Sequence, residues 1–168
     1  NLFIELECLI EADCEGSYDF NYDQIVSYGE VFSTRIVSTY LNESNIKNRW
    51  MDARNFINTD GTFREGKVDW ELTSNIIAKK LKPIVLKQFV VTQGFIGQNR
   101  EHSTTTLGRE GSDYTAAVFA NMLDAENVTI WKDVESVMNA DPKQFTDAIP
   151  IAELNYKETV EMAYYGAQ

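Results

Sequence analysis

Apolar, β-branched runs alternate along the chain with segments of helical periodicity, an order typical of an α/β fold. Residues 84–92 and 128–131 predict buried strands, and residues 49–53 predict a shorter one. Helical spacing of apolar side chains predicts a first helix that Gly16 ends and further helices over residues 21–41, 69–81, 112–123 and 152–165. We therefore expect a three-layer α/β/α sandwich whose mostly parallel sheet is covered on both faces.

Length and charge narrow the class of protein. The 168 residues suffice for a sizeable core, and we expect residues 1–168 to form a single domain. Twenty-six acidic and fifteen basic side chains give a formal charge of −11, and residues 1–34 contain eight acidic and no basic side chains. This balance disfavours nucleic acid or an anionic membrane surface as the main partner. We interpret the acidic start as a solvated helix face.

The sequence also argues against a zinc-binding, disulfide-rich, membrane or secreted protein. Two cysteines and one histidine cannot build a four-ligand Cys/His zinc site or a disulfide framework. No apolar run approaches membrane-spanning length, and the acidic N-terminal residues do not resemble a signal peptide. We expect a soluble, cytoplasmic protein without membrane partners.

Residues 94–113 (GFIGQNREHSTTTLGREGSD) form a glycine-rich stretch that leads directly into a predicted helix. Glycines let the backbone approach a ligand closely, and a helix N-terminus with nearby hydroxyls and Arg109 suits an anion. The same pattern fits equally well a hairpin followed by ordinary capping, with Ser112 as the N-cap and Asp113 in the first turn. Neither the Rossmann nor the P-loop spacing is present.

Two further places could bind charged ligand groups. A free amino acid is a zwitterion, so Arg109 could bind its α-carboxylate and Glu30 its α-ammonium. Lys132 and Asp133 follow the predicted strand 128–131, at the sheet edge where α/β proteins bind ligands. Spacing alone favours a different interpretation, in which Glu30 is a solvated surface acid and Asp133 is a loop acid.

Taken together, the motifs resemble those of aspartate kinases, within the amino acid kinase family. The segments VVTQGFIG (90–97), TTTLGREGSDYTAA (104–117) and IWKDVESVMNADP (130–142) follow in that family's order and spacing, and SYGE (27–30) adds a weaker match. The resemblance implies the amino acid kinase fold, here incomplete at its N-terminus. It also implies transfer of the γ-phosphoryl group of ATP to the side-chain carboxylate of L-aspartate. The product, 4-phospho-L-aspartate, enters lysine, threonine and methionine synthesis.

Site roles follow from the resemblance residue by residue. It implies that Glu30 binds the α-ammonium, that Arg109 binds the α-carboxylate and that Asp113 is the catalytic organising acid. The remaining substrate-site residues are Phe95, Glu110, Gly111 and Ser112. The nucleotide would meet Lys132 and Asp133 and be flanked by Met138 and Lys143. Mg²⁺ would bridge the phosphates, and no residue of the chain is assigned as a metal ligand.

Departures from the family pattern leave alternatives open. The family's first strand with its KFGGTS-like loop and its regulatory ACT domains are absent here, so we expect an internal piece of a longer, homodimeric parent. Lys132, Met138 and Lys143 stand where Thr, Tyr and Arg are usual. The chain could therefore bind aspartate without turning it over. A related kinase for another acid, such as glutamate or N-acetylglutamate, is the other alternative, although an N-acetylated substrate would not need Glu30.

Overall fold

The computed structural model describes residues 2–11, 16–132, 136–141 and 143–164. It divides into two compact units, residues 1–128 and 129–168, which are described separately below. Among the described residues, none of the helices combines the length and the apolar character needed to cross a bilayer.

The first unit begins with two helices. Helix α1 spans Leu2–Glu11 and helix α2 spans Tyr18–Glu43. Ser17 caps α2, because its hydroxyl accepts a hydrogen bond from the Phe20 N–H at 3.2 Å. The rings of Phe3 and Phe32 stack at 4.6 Å between centroids, which fixes α1 against α2.

A parallel pair of strands follows. Strands β1 (Asn48–Trp50) and β2 (Phe89–Val91) pair with Asn48 opposite Phe89 and Trp50 opposite Val91. Their connection consists of a 3₁₀ turn (Ala53–Asn55), helix α3 (Trp70–Ile76), a π-helical turn (Ile77–Leu81) and helix α4 (Lys82–Val85). Parallel strands require such a crossover, so this βαβ arrangement is consistent with the predicted α/β fold class.

Several predicted boundaries are wrong around Pro83. We expected a helix that ends before Pro83 and a strand over residues 84–92. Instead, the π-helical turn leads into α4, where Pro83 occupies the first turn and its missing N–H is tolerated. The strand is therefore shorter than predicted, and Leu86 and Phe89 are exposed rather than buried.

The glycine-rich stretch forms an antiparallel hairpin followed by a helix. Strands β3 (Ile96–Gln98) and β4 (Thr104–Thr106) pair with Gly97 opposite Thr105, and helix α5 spans Gly111–Leu123. Gln24 on α2 binds the β4 backbone like a neighbouring strand, donating to the Thr104 carbonyl at 2.8 Å and accepting from its N–H at 3.1 Å. Helix α2 thereby covers an edge of this hairpin.

Two apolar clusters form the core of this unit. The larger cluster lies between α3, the π-helical turn and α5, and the smaller one lies where α2, the 3₁₀ turn and β3 meet. The larger comprises Phe56, Ile57, Val68, Ile77, Leu81, Leu107 and Val118, and the smaller comprises Val31, Ala53 and Ile96.

In the second unit, Met138 and Pro150 form an isolated antiparallel bridge and helix α6 spans Tyr156–Tyr164. Asn155 and Glu158 cap α6 reciprocally, each accepting from the other's backbone N–H at 2.9–3.0 Å.

The predicted buried strand over residues 128–131 does not form. These residues pair with no strand in the part of the chain that the structure describes, and Trp131 is 89% exposed. A strand needs a partner for its backbone N–H and C=O groups, and these residues form no such pairing in the described part of the chain.

Candidate functional site

The start of α5 lies directly against the turn that joins β2 to β3. A Cβ added at Gly94 would lie 2.9 Å from both Cα and Cβ of Ser112. A Cβ added at Gly111 would lie 2.7 Å from Cδ2 of Phe95 and 3.3 Å from its Cα. Both glycines are therefore needed for this close approach, which brings three of the predicted substrate-site residues (Phe95, Gly111 and Ser112) together.

The backbone of Phe95 is held in place from both sides. Its φ of +70° lies in the left-handed region, which a bulky residue rarely occupies. The Phe95 N–H donates to the Thr115 hydroxyl at 3.0 Å, and its carbonyl accepts from the Leu107 N–H at 2.8 Å. The Thr115 hydroxyl in turn donates to the Gly111 carbonyl at 2.7 Å. Strained backbone that its surroundings hold in this way is common at ligand sites.

The residues before α5 place charged groups at its N-terminus. Glu110 precedes the helix with a φ of +56° and makes no side-chain capping bond, so the expected cap at Ser112 is wrong: Ser112 lies inside the helix. Asp113 lies in the first turn. The Arg109 side chain is 90% exposed and its Nε lies 4.0 Å from Glu110. Such an exposed contact holds a side chain weakly, which leaves the guanidinium accessible to an anionic ligand.

Glu30 lies on α2 and is partly buried. Burial raises the pKa of its carboxyl, and no other contribution to the shift is resolved among the described residues. Among the residues that the structure describes, no cation forms an ion pair with Glu30, so its carboxylate is suited to a cationic ligand group. The expectation of a fully solvated Glu30 is not met.

The amino acid kinase family model matches residues 3–168. The chain belongs to the amino acid kinase family. Lysine-sensitive aspartokinase 3 of Escherichia coli strain K12 is 39% identical over 146 residues, covering 87% of this chain and 32% of that protein. Aspartokinase 1, chloroplastic, of Arabidopsis thaliana is 39% identical over 151 residues, covering 87% of this chain and 26% of that protein.

Solved structures give the same result. A crystal structure of E. coli aspartokinase III in complex with aspartate and ADP (R-state) aligns with a TM-score of 0.92 at 37% identity. It covers 99% of this chain and 37% of the other. The same enzyme in complex with lysine and aspartate (T-state) aligns with a TM-score of 0.86 at 36% identity. These matches confirm the amino acid kinase fold. The chain spans about a third of the length of these relatives.

The residues predicted to bind a nucleotide lie in the second unit. Lys132 and Lys143 are exposed, and Met138 is partly buried and accepts a long contact from the Ser136 hydroxyl at 3.7 Å. The Lys143 N–H donates to the Asp141 carboxylate at 2.9 Å, which shapes a turn there. Asp133 lies outside the described residues.

The described part of the chain contains no metal site built from protein side chains alone. Nowhere in residues 2–11, 16–132, 136–141 and 143–164 do three or more His, Cys, Asp or Glu side chains come together so that they could hold a metal ion. A shallow concavity on α6, lined by Tyr156, Val160 and Tyr164 among others, contains none of the predicted site residues.

Sequence reasoning missed two buried polar side chains in the unit that contains the candidate site. Asp23 is fully buried, although the acidic start of the chain reads as a solvated helix face, so that interpretation is wrong for this residue. Gln93 is 1% exposed and directly precedes Gly94. The position of Gln93 between a predicted strand and a glycine was the available signal, whereas nothing local distinguishes Asp23 from its acidic neighbours.

Proposed function

We propose that this chain is the central and C-terminal part of the catalytic domain of an aspartokinase, acting on L-aspartate and ATP. The observation that carries the proposal is the close approach of Gly94 and Phe95 to the first turn of α5, next to Arg109. The related structure with aspartate and ADP supports it, because it aligns over 99% of this chain.

The proposed substrate site binds the two charged groups of a zwitterionic amino acid with side chains of opposite charge. Glu30 would bind the α-ammonium and Arg109 would bind the α-carboxylate through two parallel hydrogen bonds. Glu110, Gly111 and Ser112 would line the site beside Phe95. These contacts orient the substrate so that an oxygen of its side-chain carboxylate faces the γ-phosphorus.

The proposed reaction forms a bond between that carboxylate oxygen and the γ-phosphorus while the bond to the ADP oxygen breaks. Catalysis of this kind consists of positioning and charge stabilisation, without a covalent enzyme intermediate. Asp113 would orient cationic groups at the reaction centre. Lys132 and Lys143 would stabilise phosphate charge, with Asp133 and Met138 beside the nucleotide.

Mg²⁺ would reach the site with the nucleotide. Mg²⁺ usually binds through substrate phosphates, one or two carboxylates and retained waters, so it does not require a protein-only metal cluster, and the described residues form none. Bound there, Mg²⁺ would neutralise phosphate charge. A homodimeric parent, a role in lysine synthesis and a cytoplasmic location stay predictions from the resemblance.

The proposal is tested by calorimetric titration of L-aspartate, with L-glutamate and succinate as controls, into this chain and into a full-length protein that contains it. We expect selective binding of L-aspartate. Glu30→Gln should weaken it roughly 10- to 150-fold, because a hydrogen bond to a charged group contributes about 1.5–3 kcal/mol.

Glu43→Gln is the matched control, since Glu43 lies at the exposed end of the same helix. Its affinity for L-aspartate should not change. Absence of aspartate-selective binding in both proteins would rule out the proposed function. Equal affinities of Glu30→Gln and the wild type would rule out the role of Glu30.

Binding of L-aspartate should also release a proton at mildly acidic pH. Burial raises the pKa of Glu30 in the unliganded protein, and a bound ammonium would lower it again. Affinity should therefore fall as the pH drops through the raised pKa. Calorimetry in buffers of different ionisation enthalpy measures the released proton, and Glu30→Gln should lose the difference. Identical proton release by both proteins would contradict the assignment.

A further inference from the structure

Gln93 connects two separate elements through a side chain that is almost completely buried. Its Oε1 accepts from the Ala53 N–H at 2.7 Å, and its Nε2 donates to the Thr34 hydroxyl at 2.8 Å. Because a backbone N–H can only donate, the orientation of the Gln93 amide is determined.

The Thr34 hydroxyl is the centre of this network. It accepts from Gln93 and from Trp50 Nε1, which lies 3.1 Å away, and both of these groups can only donate. Its own proton is therefore donated to the preceding turn of α2, where the Glu30 carbonyl at 2.7 Å is nearer than the Val31 carbonyl at 3.3 Å. A hydroxyl has one donor and two acceptor positions. Every hydrogen bond in this network therefore has a defined direction.

These bonds join both parts of the proposed substrate site. At one end is the turn of α2 that carries Glu30. At the other end Gln93 is followed directly by Gly94, which contacts the first turn of α5 at Ser112. A shift of either end is transmitted to the other through these bonds, because Gln93 and Trp50 already fill both acceptor positions of the Thr34 hydroxyl.

We propose that Thr34 and Gln93 are positioning residues, which hold the Glu30 carboxylate at the distance from the Gly94–Ser112 contact that an α-amino acid requires. The inference rests on the proposed function. Neither residue needs to touch the substrate, because both act through the backbone that carries Glu30 and Gly94.

The test compares L-aspartate with succinate, which has the same carbon chain and two carboxylates but lacks the ammonium. Thr34→Val keeps the shape of the side chain but removes its hydrogen bonds. We expect it to weaken L-aspartate binding roughly three- to tenfold, as the loss of one or two hydrogen bonds would. Succinate affinity should not change, and Thr34→Ser should restore L-aspartate binding.

Thr39→Val is the matched control. The Thr39 hydroxyl donates to the Arg35 carbonyl at 2.9 Å, the same bond one turn further along α2, but it makes no contact with the network. We expect both ligands to bind this variant like the wild type. Trp50→Phe removes one donor from Thr34 at a partly exposed position and provides a second variant should Thr34→Val not fold.

The outcomes separate the two proposals. Weakening of both ligands to the same extent by the folded variants would mean a purely structural role and overturn the inference, as would unchanged binding of both. If the wild type shows no preference for L-aspartate over succinate, the proposed function fails. If Glu30→Gln keeps that preference, the role of Glu30 fails and the inference fails with it. If Glu30→Gln abolishes the preference while Thr34→Val and Trp50→Phe retain it, the positioning role alone fails.

Discussion

Replacing Asp23 with alanine is expected to lower the free energy of unfolding by at least about 2 kcal/mol, because two buried donors of Thr106 lose their acceptor. The buried Asp23 carboxylate accepts from the Arg64 N–H at 2.8 Å, from the Thr106 N–H at 2.9 Å and from the Thr106 hydroxyl at 2.7 Å. Each buried donor left unpaired costs about 1–3 kcal/mol. Such a loss is a large fraction of the total stability of a domain.

Asp19→Ala is the matched control for this prediction. Asp19 lies one turn earlier on α2 and pairs with the Arg64 side chain at 3.3 Å, but the Asp19 side chain is 56% exposed. An exposed ion pair contributes only about 0–1 kcal/mol. Chemical denaturation should therefore show a large loss for Asp23→Ala and a small one for Asp19→Ala. Similar losses for both would mean that burial does not make the Asp23 bonds important.

The parts of the fold that could be predicted from the sequence depend on local patterns. The parallel sheet could be predicted from the β-branched run that contains β2 and from the helical spacing on either side of it. The structure contains such a parallel crossover between β1 and β2. Boundaries were less accurate, because a π-helical turn accommodates Pro83 without ending the helix. The segment 128–131 was mispredicted because a strand depends on a neighbour, which its own residues do not reveal.

In the candidate site, too, only the features with a local sequence pattern could be predicted. Residues 94–113 could be singled out because glycines, a helix start and Arg109 are close together in the sequence. The supporting network could not, since Gln93 bonds to a residue 59 positions away and Asp23 to one 83 positions away. Buried hydrogen bonds between distant residues leave no periodic pattern, and the roles of Glu30 and Arg109 came from the family resemblance rather than from spacing.

Gly94→Ala is expected to disrupt the proposed substrate site through the backbone rather than through a charged contact. The added Cβ would meet Cα of Ser112 at 2.9 Å, and this atom belongs to the backbone of α5 and cannot rotate away. The β2–β3 turn and the start of α5 must therefore separate. Overpacking of this kind costs about 1–3 kcal/mol of stability. If the site takes up this strain, aspartate binding should weaken roughly 5- to 150-fold, the equivalent of about 1–3 kcal/mol.

Gly29→Ala is the control, because a Cβ at Gly29 meets no atom within 4 Å. In the middle of α2 this substitution should stabilise the protein by up to about 1 kcal/mol, since alanine favours helix over glycine. It should leave aspartate binding unchanged. Thermal unfolding and calorimetric titration of the two variants give both quantities. Wild-type affinity in a folded Gly94→Ala variant would show that the contact between Gly94 and Ser112 does not shape the binding site, and the site would then have to be sought away from the start of α5.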